Sequence, residues 1–237
     1  MLFRSGANLT GANLTGAFLT GAFLTGAGLS SATLTGVSSG GISGTPQSLP
    51  VGWILFRGSL IGPGANLFGA NLTRADLSGM NLTGANLTRA DLTEATLIEA
   101  TLTEATLIEA TLTGANLTLV SSGGITGTPQ SLPAEWILQG GFLIGPGADF
   151  SGTNLSGMNL SGMNLTGANL FGANLTRANL TGANLTGAYL GRANLTGATL
   201  TGATLPMDSS GGIAGTPQSL PAGWILQDGY LIGPGQA

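Results

Sequence analysis

Six arginines and ten acidic residues carry all the side-chain charge in this 237-residue sequence. There is no histidine, cysteine or lysine. Without His or Cys there is no Ser-His-Asp triad, no thiol nucleophile and no usual zinc site. Without Lys, Schiff-base chemistry and a phosphate-gripping P-loop are excluded. That leaves the carboxylates for acid-base work. Asp76, Asp91 and Asp149 are spread through the chain and suggest no inward-facing pair, and a lone buried charge is too costly to keep. No catalytic, cofactor-binding or metal-ligating residue is therefore assigned. A nucleic-acid partner needs a basic footprint, and six scattered Arg with a net charge of -4 do not make one. Asn8-Leu9-Thr10 and its many copies match a glycosylation acceptor, but only as a by-product of the repeat that produces them.

That repeat positions everything else. Ala7-Asn8-Leu9-Thr10-Gly11 is followed by Ala12-Asn13-Leu14-Thr15-Gly16, and 29 such units fall in three blocks, 7–36, 65–119 and 148–207. The central residue is Leu throughout, except for Phe150. Two residues earlier stands Ala, replaced only by Met80, Thr153, Met158 and Met163. A period of five suits neither regular structure. Five steps turn a helix by about 140°, which scatters the leucines around it. On a straight strand successive leucines point to opposite faces. They share a side if the chain turns a corner once per unit, with Gly at the corner because it tolerates positive φ. Corners near 90° close after four units. The expectation is a square coil of about 20 residues, with successive coils paired about 4.8 Å apart. Leu and Ala fill its interior, and the other three positions face water.

The Ala-(Asn/Asp)-Leu-(Thr/Ser)-(Gly/Arg) units closely resemble the pentapeptide-repeat family. The resemblance implies an all-β fold, a right-handed quadrilateral β-helix, and supplies its handedness and number of sides. Many family members are cyanobacterial. A small subset imitates DNA in shape and charge and binds DNA gyrase.

Three spacers, 37–64, 120–147 and 208–235, are copies of a second motif, Ser-Ser-Gly-Gly-Ile-x-Gly-Thr-Pro-Gln-Ser-Leu-Pro, then Trp-Ile-Leu, then Leu-Ile-Gly-Pro-Gly. They resemble spacers in cyanobacterial members of the family. One reading is a β-hairpin, with Trp224-Ile225-Leu226 and Tyr230-Leu231-Ile232 flanking the turn Asp228-Gly229. The reading that fits the period better takes 211–215, 224–228 and 229–233 as further units, centred in the last on Leu231. An eight-residue loop from Thr216 to Gly223 then completes one irregular coil. Trp53, Trp136 and Trp224 fall at the small-residue position, where the loop is expected to make room. On this reading residues 1–237 form one continuous solenoid.

In such a coil, residues four units apart stack. Arg74 is expected under Glu94 and Arg89 under Glu109, as surface ion pairs that help to set register. Glu94, Glu99, Glu104 and Glu109 form an acidic collar, one per face. Phe18, Phe23 and Tyr189 replace the polar residue before the central Leu, while Phe68 and Phe171 follow it, so all five are expected to be exposed. These aromatics and the collar are the candidate interaction surface.

No apolar run reaches the roughly 20 residues of a membrane span. The start, Met1-Leu2-Phe3-Arg4-Ser5, has no apolar stretch of a signal peptide. Localisation is unassigned, cytoplasmic by default, with a cell-surface assembly the other possibility. Gly235-Gln236-Ala237 fall where a fourth block would begin, so either the sequence is a fragment of a longer array or its open β edges, which invite pairing, are covered by another molecule. The expected function is a non-enzymatic structural or protein-interaction scaffold, self-assembling head to tail through its open ends or held by a protein partner. Two alternatives are weaker. Gyrase binding by DNA mimicry needs more than ten acids, and an ice- or carbohydrate-binding Thr ladder is interrupted by Phe68, Ile98, Ile108 and Phe171.

Overall fold

The amides of one five-residue unit, 90–94, go to five different places, and following them gives the fold. Leu92 donates to the Thr111 carbonyl (2.8 Å) and Glu94 to that of Thr113 (2.9 Å), both in the coil that follows. Asp91 donates back to Ala70 at 2.9 Å. Ala90 donates to Leu87 at 3.0 Å, closing a turn. The fifth amide, on Thr93, is out of reach of any ladder and is taken by the side chain of Asp91 at 2.9 Å. All five amides are thus satisfied without water. The turn needs a positive φ at its third residue, as type II turns do. Gly fills that position in most units. Arg74 (57°) and Glu99 (59°) show that other residues are forced into it.

The structure, a computed structural model, describes residues 5–206 and 210–234. The start of the chain, the junction at Met207 and Asp208, and Gly235 to Ala237 lie outside the described residues. Among those described there is no helix, so none is long and apolar enough to cross a membrane. Two compact units are present, one of Met1–Leu117 with Ser122–Ala134, the other of Thr118–Ser121 with Glu135–Ala237. In the first, parallel rungs run Asn71↔Asp91↔Thr111↔Ser131. In the second they run Asn154↔Asn174↔Asn194↔Ala214. Each step spans four units of the repeat. Apart from Leu9 and Leu14, which are half-buried, the central Leu is buried in the interior of both, as is the Ala two before it in most units.

The spacers depart from the preferred reading. Each contains an antiparallel hairpin: β1 (Ile54–Phe56) with β2 (Ser59–Ile61), β3 (Ile137–Gln139) with β4 (Phe142–Ile144), and β5 (Ile225–Gln227) with β6 (Tyr230–Ile232). Leu226 pairs with Leu231 and Gln227 with Tyr230. Both turn residues, Asp228 (50°) and Gly229 (80°), have positive φ, the requirement of a tight type I′ turn. Residues 224–228 and 229–233 are thus hairpin strands and not two further sides. The expected loop from Thr216 to Gly223 instead carries a rung, Thr199↔Ser219. The added length of each spacer lies in the hairpin, and the rungs step over it at Ser38↔Asn66 and Ser121↔Asp149.

The frame of 211–215 is also shifted by two. Asn194 pairs with Ala214, so Ile213 occupies the small-residue position and Gly215 the Leu position. The large side chain has moved two places while still pointing inward, and Ile213 is buried. Gly215 is required there: its φ is 78°, and a Cβ would lie 2.8 Å from the Thr196 amide nitrogen. Gly44 and Gly127 repeat this against Thr25 and Ile108. Room for the tryptophans comes from glycine and not from a loop. A Cβ on Gly62, Gly145 or Gly233 would collide with the ring of Trp53, Trp136 or Trp224.

Two substitutions separate the core from the corner. Leu92→Ala empties a fully buried site and is expected to cost about 2–5 kcal/mol in urea unfolding. Glu99→Gly relieves a non-Gly positive φ and is expected to stabilise by about 1 kcal/mol in the same assay.

Candidate interaction surface

Side chains at the corners stack from coil to coil because the backbone does. Arg74 Nε lies 2.6 Å from Glu94 Oε2, and Arg89 Nε lies 2.6 Å from Glu109 Oε2. Both pairs are well exposed, so water and salt screen them. The hydrogen bond from each Arg, and then its charge, hold the Glu94 and Glu109 carboxyls below the ordinary carboxylate range. The collar residues all adopt positive φ. Glu99 and Glu104 form no ion pair among the described residues. The stem of Glu104 instead lies against Gly124 in the next coil.

The aspartates act locally. Ser78 donates to Asp76 through its hydroxyl (2.7 Å) and its amide (3.1 Å). Thr93 does the same to Asp91, and the Thr73 hydroxyl adds a third bond there. These bonds lower both carboxyl pKa values. Asp149 accepts from the Ser151 amide and from Asn169. None of the three is buried. No group of three or more His, Cys, Asp or Glu is placed to hold a metal among the described residues. What this exterior offers is hydrogen bonding, stacking and charge.

The aromatics differ from one another. Phe18 is 77% exposed, Phe68 57% and Tyr189 48%, with Phe23 close behind. Phe171 is the exception to the expected exposure. It is half-buried because Tyr189 stacks on it, ring centres 5.5 Å apart and planes 5° from parallel. Arg192 lies over the same ring at 5.4 Å. Gly191 makes the stack possible, since a Cβ there would come within 3.2 Å of both rings. With Leu119, Ser151 and Asn169 these rings line a shallow open groove in the second unit.

The first unit contains a related arrangement. Arg89 lies over Phe68 at 5.9 Å while it holds Glu109. In both places the Arg stands one coil and one position after the Phe. Leu119, Gly191 and Arg192 do not emerge from the sequence reading. The shared Phe-to-Arg spacing and the Gly standing where Thr or Ser is usual are the signals that could have found them.

Two measurements test this geometry. In an NMR titration Glu94 should lose its charge below the ordinary Glu range, and Arg74→Gln should move that titration upward. Because the folded pKa is depressed, the pair's contribution to stability is present at neutral pH and disappears as pH falls through it. Gly191→Thr should separate Phe171 from Tyr189, seen as lost ring-current shifts, without loss of the fold.

A family model described as pentapeptide repeats matches eight copies here, at residues 5–38, 64–97, 85–121, 147–182 and 173–206. A search of the curated proteins found no match. Among solved structures the chain is similar to HetL, a pentapeptide repeat protein involved in heterocyst differentiation regulation in the cyanobacterium Nostoc. Identity is 27% over 97% of this chain and 93% of HetL, with a TM-score of 0.30. It is similar to the pentapeptide repeat protein Rfr23 of the cyanobacterium Cyanothece at 28% identity, over 62% of this chain and 64% of that one, with a TM-score of 0.20. It also matches QnrB1, a plasmid-mediated fluoroquinolone resistance protein, at 15% identity over 86% and 81% of the two chains, with a TM-score of 0.26. The family model covers well over half of the sequence, and the chain belongs to the pentapeptide repeat family.

Proposed function

We propose that this protein is a non-enzymatic structural scaffold built as a right-handed quadrilateral β-helix, continuous through its spacers, that binds protein and associates with further copies of itself. Four units per rung support the square coil. Family membership supports the handedness. Rungs that resume beyond the hairpin, at Ser38↔Asn66 in the first unit and Ser121↔Asp149 in the second, support continuity within each unit. The observation that carries the functional reading is how chemistry is distributed. Among the described residues, Leu and Ala occupy the interior and every charged side chain lies outside it, so the protein presents surface. That surface carries two Phe–Arg steps and two stacked ion pairs.

Light scattering and electron microscopy of the chain over a wide concentration range test this. Multiples of 23.4 kDa that form unbranched rods are the expected result. A 23.4 kDa particle at every concentration would sink self-association.

A further inference from the structure

The groove of the second unit has a lopsided set of hydrogen-bonding groups. Its backbone amides are committed to the ladder. Those of Asn169 and Tyr189 go to Ala148 and Ala168, both at 2.9 Å, and that of Leu170 goes to the Tyr189 carbonyl at 2.8 Å. A peptide therefore cannot join this face as one more strand. The side-chain acceptors are committed as well. Asp149 Oδ1 accepts from the Ser151 amide (3.0 Å) and from Asn169 Nδ2 (2.9 Å), and Oδ2 accepts from the Ser121 hydroxyl at 3.1 Å. Asn169 Oδ1 accepts from the Phe171 amide at 3.2 Å. The hydroxyls of Ser151 and Tyr189 line the groove with no hydrogen bond among the described residues.

The rest of the lining is apolar. Phe171 and Tyr189 lie parallel, and Leu119 lines the groove with them. Leu119 stands at a corner with φ of 57°, where Gly is usual. Gly167 adds no side chain to the surface between them. The rungs Ser121↔Asp149↔Asn169↔Tyr189 put the Leu119 and Tyr189 coils three steps apart. At strand spacing that is roughly 14 Å.

A ligand that fits brings apolar rings and acceptors, and few donors. A sugar ring carries a hydroxyl donor at most positions, and the acceptors it needs are already filled. A proline brings an apolar ring and a carbonyl, and has no N–H. In polyproline II the carbonyls are free of internal hydrogen bonds. Such segments dock in aromatic-lined grooves. At a rise of about 3.1 Å per residue, four or five of them span the groove.

We infer that this groove binds a proline-rich segment of a partner protein in the polyproline II conformation. Its rings lie against Phe171, Tyr189 and Leu119, and its carbonyls accept from the Ser151 and Tyr189 hydroxyls. The inference rests on the protein binding proposed above and gives that partner its chemistry.

The test titrates the full chain into fluorescein-labelled decaproline, followed by anisotropy, with a Gly-Ser peptide of equal length as the control ligand. Phe171→Thr with Tyr189→Asn returns both positions to residues that the repeat usually holds, and a thermal melt checks the fold. Phe68→Thr removes an exposed ring elsewhere. Expected are saturable binding of decaproline alone, a loss of about tenfold or more in the double variant, and no change for Phe68→Thr. Maltoheptaose should not compete. No saturable binding of decaproline, or equal binding by the double variant, overturns the assignment. Displacement of decaproline by maltoheptaose overturns it in favour of a carbohydrate. Light scattering of the same wild-type samples keeps the outcomes apart. If the chain assembles while decaproline fails to bind, only the assignment of this groove falls. If the chain also stays at 23.4 kDa at every concentration, the self-association proposed above falls with it.

Discussion

The residue after each Thr or Ser must hold a positive φ, and the rest of the structure follows from that corner. With φ near +60° the chain turns once per unit, the next Ala amide reaches back to the Leu carbonyl, and the following Leu again points inward. Gly is the cheapest occupant. Arg and Glu at the same place cost conformational energy, so their presence at Arg74, Arg89, Glu94 and Glu109 needs a return. They receive part of it from one another, from one coil to the next. The corner is also where a long side chain stands clear of the face and meets its counterpart in the next coil.

The second constraint is the amide that the ladder cannot use. Asn or Asp before the central Leu accepts it in unit after unit, from Asn8 with Thr10 to Asn194 with Thr196. The Asn amide group then reaches the side chain one coil below, as Asn174 does to Asn154. One side chain thus completes its own turn and links two coils. Stability in such an array belongs to neighbouring pairs of coils more than to any single one. This is why a sequence with only 7% charged residues and very low complexity still has a packed interior.

Legibility from the sequence ends where the period ends. Within the blocks, side-chain size alone identifies the corner, the core and the vertical neighbours, because each residue repeats one rule. In the spacers the same rule misleads. Ile213 looks like a central residue, but the large side chain and the glycine have exchanged positions, and only the rung at Ala214 reveals it. Asp228-Gly229 is a sound local hairpin signal, and the periodic frame that competes with it does not extend there. Phe171 fails for a different reason. Its burial depends on Tyr189, in the next coil, and on the missing side chain of Gly191, a relation that no single unit contains.

A fold this regular carries little information about partners in its scaffold, since every coil presents nearly the same backbone. Distinctiveness has to come from departures from the rule, and those departures are not scattered evenly. The Phe–Arg steps pair an aromatic face with a cation that is held in place by backbone geometry, which favours the contact over a freely moving Arg. The hairpins widen one coil in each spacer while leaving the ladder on the neighbouring sides in register. A coil of four plain units can only be stacked. One that carries a hairpin adds a shelf of apolar strand to the stack, and in the first two spacers that shelf receives the block that follows.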